Sequence, residues 1–177
     1  MTHARIGPGR RREIGFFATA FAHLAGKFTG TGPPAVFTTL AKSRRLFWAW
    51  LIYSAMMMPF GRLSRRETEL VILRIAHLRR CEYERGHHER LARRAGVRHD
   101  EIDRTRHADL TSWPPRDQAM LNAVTQIVEH RDIDDTAWKR LSAHLDESEI
   151  IELLLLCGHY DSLATTLLTV RTPPDTY

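Results

Sequence analysis

Apolar residues recur at intervals of three and four along almost the whole chain. No stretch alternates with period two while carrying the β-branched residues of a strand, so the pattern predicts an all-α protein. Residues 13 to 25 form a first apolar helical segment, and Thr29 to Pro34 is a loop by composition. Helices are expected over 34 to 42 and 45 to 58. Ser64-Arg65-Arg66-Glu67 has the form of a capping box, in which the serine hydroxyl and the glutamate carboxylate satisfy each other's backbone N–H groups. The helix it opens puts Glu69, Leu73 and Ala76 on one side, with Ile72 beside them. The next helix runs from about Cys81 to Ala95 and stops at Gly96, a residue suited to the position after a helix end. Asp100-Glu101 opens a short helix, and Trp113-Pro114-Pro115 breaks the chain before another over 116 to 130. Asp134-Asp135 caps a segment reaching His144. Asp146 and Glu149 cap a long apolar helix to Val170, which Pro173-Pro174 follows.

The run from Leu46 to Phe60 is apolar over fifteen residues and ends at Pro59-Phe60-Gly61. A spanning helix needs about twenty. The run therefore predicts a helix shared between the core and a subunit interface, and no membrane partner. Near the N-terminus, Arg10-Arg11-Arg12 precede IGFFATAFAHLAG, and Ala20-Phe21-Ala22 has the look of a cleavage site. Glu13 and His23 interrupt that apolar region and argue against a secretory or twin-arginine signal.

The 177 residues suffice for one domain with a real core. The net charge of +5 comes almost entirely from arginine, the only lysines being Lys27, Lys42 and Lys139. A basic chain invites anionic partners, but no nucleic-acid recognition motif is present. A solvated arginine-rich surface is the expectation, with no nucleic-acid partner. The two cysteines, Cys81 and Cys157, make no disulfide framework. This fits a reducing, cytoplasmic location. Cys157 lies inside LLLLCGHY, where a cysteine behaves as a small buried hydrophobe.

Chemistry concentrates between Arg66 and Gly96. Glu69 precedes Cys81 by twelve positions, and Glu84, His87 and His88 follow. Spacings of three and four place Cys81, Glu84 and His88 on one helix face, with His87 and Leu91 flanking it and Tyr83 turned away. An acid, a thiol, a second acid and an imidazole on two consecutive helices form the vocabulary of a proton relay. Glu84-x-x-His87 also has the spacing of half a di-iron site. It has no second copy, so no metal and no other cofactor is expected.

This stretch resembles the carboxymuconolactone decarboxylase family, which includes the alkylhydroperoxidase AhpD-like proteins. The AhpD-type pattern is Glu, eleven residues, Cys-x-x-Cys, three residues, His. Glu69, Cys81 and His88 match it, and Glu84 stands in place of the second cysteine. The resemblance extends over RLFWAWLIYSAMMM and ELLLLCGHYDSLATTLLTVRTPPD, roughly residues 36 to 174, and leaves 1 to 35 as an N-terminal helical extension and loop. It implies a single-domain AhpD-like helical fold, a homo-oligomer and a small organic substrate. It further implies catalytic roles for Glu69, Cys81, Glu84 and His88. Tyr83, His87, Arg74 and His159 are the candidates for substrate contact, Arg74 as a cation for an enolate-like charge. A carboxylate forms no disulfide, so the two-thiol peroxidase cycle has no second thiol here. Acid–base chemistry remains, or a one-cysteine peroxidase cycle resolved by an external thiol. A catalytically silent oligomer is the reading from another class.

Overall fold

The computed structural model describes residues 3–175, the side chain of Phe28 excepted, and every regular element among them is a helix. In chain order these are α1 (Arg11–Ile14), α2 (Phe16–Thr29), α3 (Ala35–Leu40), α4 (Arg44–Met57), α5 (Arg65–Leu78), α6 (Glu82–Arg94), α7 (His99–Arg104), α8 (Pro115–His130), α9 (Asp135–Ser142) and α10 (Glu147–Val170). The chain divides into two compact units. One joins Met1–Ala55 with Thr165–Tyr177, and the other is Met56–Ala164.

In the first unit, Gly15 at φ +84° separates α1 from α2, so the expected single helix over 13 to 25 is two. Ile14, Ala18, Ala41 and Phe47 form the core of this unit, with Phe21, Phe37 and Trp50 packed around them. The Phe21 ring meets those of Phe37 and Phe47 edge-on at 5.2 and 6.0 Å, a favoured geometry for aromatic pairs. The Asp175 carboxylate accepts from Ala35 N at 2.8 Å and so caps α3.

The second unit is built around α5. Every residue of that helix from Glu67 to Ala76 is buried. Ser64 and Glu67 form the expected capping box, Ser64 N donating to Glu67 at 2.8 Å and Glu67 N donating to Ser64 at 3.3 Å. Leu70 and Leu73 pack against Ala92, Val97, Ile102, Leu110, Trp113 and Leu121, contributed by α6, α7, α8 and their connections. The Arg66 guanidinium ties α5 to α7 through Glu101 and to α8 through Asp117 at 2.9 Å.

The step from α5 to α6 carries no Gly or Pro. Arg80 makes the reversal in a left-handed conformation, φ +55°, which costs a non-glycine residue some strain. Cys81 then stands at the N-cap of α6. In α10, Leu153, Leu156, Cys157, Tyr160 and Ala164 turn inward at intervals of three and four. Among the described residues, α10 is the one helix long and apolar enough to cross a membrane, and half of its most apolar window is buried.

Leu73 is fully enclosed, so Leu73→Ala should lower unfolding free energy by about 2–5 kcal/mol in urea titration. On α4, Leu46, Ile52 and Tyr53 remain exposed. Light scattering should therefore report more than one copy per particle, and Ile52→Arg should reduce that mass.

Candidate active site

Glu69, in the middle of α5, and His88, in the second turn of α6, face each other across the reversal at Arg80. His88 Nδ1 lies 2.7 Å from Glu69 Oε2. Against a carboxylate oxygen Nδ1 carries the hydrogen, which leaves Nε2 as the basic nitrogen. Burial lowers the His88 pKa below its usual value, and the Glu69 charge opposes that without reversing it. His88 is thus a neutral imidazole at neutral pH. The other Glu69 oxygen is ion-paired with Arg65, one turn earlier on α5. Glu69 itself is wholly enclosed, whereas the Arg65 side chain is 37% exposed. Arg65 is therefore the contact that leads from solvent to the pair.

Cys81 and Glu84 stand beside this pair on α6. Both are buried, at 1% and 2% exposure. Burial pushes the Glu84 carboxyl up to about 8, and the charge of Asp161 adds to the rise while the Cys81 thiol opposes it. The thiol is close enough to act on the carboxyl, yet neither Glu84 oxygen receives a hydrogen bond of acceptable geometry. Burial, and then the Glu84 charge, push the Cys81 thiol up to about 12, although the backbone N–H groups of Glu84 and Tyr83 act in the opposite sense. At neutral pH the site therefore holds a carboxylic acid at Glu84 and an un-ionised thiol at Cys81.

The long helix closes the cluster. The Tyr160 ring stands edge-on to the His88 ring with centroids 5.1 Å apart, and its hydroxyl points to Met58 Sδ at 3.8 Å. Burial, together with the charges of Glu69 and Glu84, holds the phenol well above its usual pKa. One residue on, Asp161 is ion-paired with Arg79 and with Arg131, the latter at 2.6 Å. Cys157 is a buried free thiol raised to about 12 by burial and by Asp161. Among the described residues, no three His, Cys, Asp or Glu side chains converge as metal ligands.

The structure joins Glu69 to His88 by a hydrogen bond and sets Cys81 beside Glu84, and the Tyr160 phenol feels the charges of both Glu69 and Glu84. His87 is buried with its ring 5.5 Å from that of His88, and Tyr83 stacks on His87 at 6.5 Å. Arg74 lies elsewhere. It donates to Thr105 O at 3.0 Å, His107 O at 2.7 Å and Thr125 Oγ1 at 3.0 Å, and none of these belongs to the cluster. These bonds tie α5 to α8 and to the segment before it, which gives Arg74 a packing role in place of the expected substrate contact. The His159 ring stands edge-on to that of Tyr160 with centroids 5.3 Å apart, and burial lowers its pKa to about 4. The sequence points to His159-Tyr160-Asp161 as a stretch beside the site and singles out His159, whereas in the structure Tyr160 packs on His88 and Asp161 acts on Glu84. The signal for Tyr160 and Asp161 was their spacing of three and four from Cys157, which places all three on the inward face of α10.

The model of the Carboxymuconolactone decarboxylase family matches residues 44–126. No curated protein matches the chain. Solved structures with the same fold include an uncharacterized peroxidase-related protein from Ralstonia eutropha JMP134, described as an alkylhydroperoxidase AhpD core. The likeness has a TM-score of 0.82 at 19% identity, over 98% of this chain and 94% of that one. A peroxidase-related protein from Silicibacter sp. TM1040 aligns with a TM-score of 0.83 at 14% identity, over 98% and 95% of the two chains. The debrominase Bmp8, as a cysteine-to-alanine variant in complex with 2,3,4-tribromopyrrole, aligns at 0.80 with 14% identity over 97% and 92%.

Glu84 makes a pH prediction. Its folded pKa of about 8 lies above the ordinary 4.5, so the folded state holds the proton more tightly than the unfolded chain. The contribution of the neutral acid to stability is complete below about pH 4.5, is lost as pH rises towards 8, and is flat above. Relative to wild type, Glu84→Gln should gain on the order of 3 kcal/mol in urea-unfolding free energy between pH 5 and pH 8, at about 1.4 kcal/mol per unit. An unchanged difference across that range contradicts the assignment.

Proposed function

The chain belongs, through residues 44–126, to the carboxymuconolactone decarboxylase family, and from that premise we propose that it is an enzyme carrying out acid–base chemistry on a small organic substrate. Glu84 is the proton donor and the Glu69–His88 pair is the base. The observation that carries the proposal is Glu84: a buried carboxyl, neutral at neutral pH, with no well-formed hydrogen bond on either oxygen. A buried polar group left unsatisfied costs about 1–3 kcal/mol. A cluster kept only for packing has no reason to retain it. The closure of the site alone would suit a silent scaffold equally well; the unsatisfied acid favours chemistry.

The geometry supports a short sequence of steps. His88, with Nδ1 held by Glu69, presents Nε2 to take a proton from a substrate atom or to orient a substrate acid. In a decarboxylation the C–C bond to the carboxylate breaks, CO₂ leaves, and the electron pair passes into an adjacent carbonyl as an enolate. Glu84 then delivers its proton to carbon and is recharged from solvent. A carboxyl with pKa near the working pH is suited to both halves of that exchange. Substrate reaches the enclosed groups by local opening on the side of Arg65, the exposed partner of Glu69.

The one-cysteine peroxidase reading is less well supported. A peroxidatic cysteine reacts as thiolate, and at a pKa of about 12 the thiolate fraction at neutral pH is only about one part in 10⁵. The complex of the fold neighbour Bmp8 with a brominated pyrrole adds a small halogenated heteroaromatic to the substrates worth testing.

Purified protein should be assayed against lactone acids, organic hydroperoxides with and without a dithiol, and bromopyrroles. Turnover of a lactone acid is expected. His88→Ala should reduce it at least about 100-fold with the helical spectrum intact, while Cys81→Ser retains it. If hydroperoxide consumption is the main activity and Cys81→Ser abolishes it, the thiol reading replaces this one. If His88→Ala lowers the melting temperature and every activity is absent from wild type, the cluster is structural.

A further inference from the structure

Charge is segregated between the two units. The unit made of Met1–Ala55 and Thr165–Tyr177 contains nine Lys and Arg residues, against only Glu13 and Asp175 as acids. With an overall charge of +5, the second unit is left slightly acidic. The basic unit also exposes large apolar side chains: Phe16 at 60%, Phe17 at 76% and Leu24 at 68%. Phe17, Ala20 and Leu24 recur at three and four along α2 and are all exposed, with Lys27 continuing the stripe. Arg10, Arg11 and Arg12 stand exposed just before it. Arg44 is held at the α1–α2 corner by its donation to Glu13 O, 3.0 Å from Nη2. The Arg11 guanidinium lies 5.2 Å from the centre of the Phe16 ring. Beside this stripe is a cleft of about 540 Å³, with an apolar wall that includes Ile14, Phe16, Ala20 and Pro33, and with Arg11 and His23 also lining it.

We propose that the α1–α2 face of the basic unit docks on the surface of an anionic lipid bilayer, with Phe16, Phe17 and Leu24 entering the headgroup–acyl boundary and the surrounding arginines pairing with lipid phosphate. Charge complementarity selects this occupant. A second copy docking through the same face would set arginines against arginines. Nucleic acid would meet the arginines but leave the Phe17–Leu24 stripe unpartnered, since its interfaces are mainly polar. A bilayer offers a phosphate layer over hydrocarbon, which matches an apolar helix face rimmed by Lys and Arg. The cleft is the size class of a ligand pocket and accepts part of an acyl chain beneath the Arg11 guanidinium. The sequence-based expectation of no membrane partner rested on the lengths of apolar runs, which bear on spanning and not on lying at an interface.

The test is co-sedimentation of the full chain with vesicles of phosphatidylcholine alone, or with phosphatidylglycerol added. Binding is expected to the anionic vesicles only and should weaken as salt is raised. Replacing Arg10, Arg11 and Arg12 together by Ala should weaken it about a hundredfold, at about fivefold per basic residue. Phe17→Ser, at an exposed position that leaves the fold unchanged by circular dichroism, should weaken it at least about tenfold. Absence of binding, equal binding to both vesicle types, or full binding by both variants overturns the proposal. So does salt-sensitive retention of an oligonucleotide by protein that ignores the vesicles.

Discussion

Glu69 and His88 meet at 2.7 Å because α5 and α6 fold back on each other at Arg80, and the rest of the site depends on that contact. The left-handed Arg80 puts Cys81 at the N-cap of α6. From there the helical repeat carries Glu84 and His88 round to the face that looks at α5. Arg65 pairs with the carboxylate oxygen that His88 does not use, and the Tyr160 ring closes against the imidazole. A buried carboxylate–imidazole pair is tolerated in so dry a place because each partner satisfies the other. Glu84, one turn earlier on the same face, has no such partner, and its proton takes the place of one.

Much of this was legible in the chain itself. The capping box at Ser64 fixed the start of α5 and hence the phase of Glu69. The three-and-four spacing fixed which of the residues after Cys81 share a face. Helix ends at Gly96, Pro115 and Val170 followed from the punctuation of the sequence. What could not be read was tertiary in origin. A turn near Arg79 to Cys81 was expected from the resemblance, but the left-handed backbone of Arg80, a residue with no turn preference, was not. Arg74 shares α5 with Glu69, but five positions rotate it by about 140°, and its guanidinium goes to loop carbonyls. Tyr160 rather than His159 meets His88, because which face of α10 turns inward depends on what it packs against. A helix apolar on most sides does not declare that in its sequence.

The exchange of a thiol for a carboxyl at position 84 changes what the site is able to do. Two neighbouring thiols can close a disulfide; a thiol beside a carboxyl has no second thiol with which to close one. Burial of Glu84 moves its pKa towards the pH at which proton donation and uptake are both efficient, while the same burial withholds reactivity from Cys81. One physical cause, exclusion of water by α5, α6 and α10, thus raises both the Glu84 carboxyl and the Cys81 thiol.

Everything proposed for the site turns on Glu84 being a protonated acid in the folded protein at neutral pH. Carbon-detected NMR of protein labelled at the glutamate side-chain carboxyl, assigned by comparison with Glu84→Gln, follows that group alone. One carboxyl signal, lost in the variant, should titrate with a midpoint near 8. A midpoint near the ordinary 4.5 would remove the protonated acid, and with it the proposed role of Glu84 as proton donor.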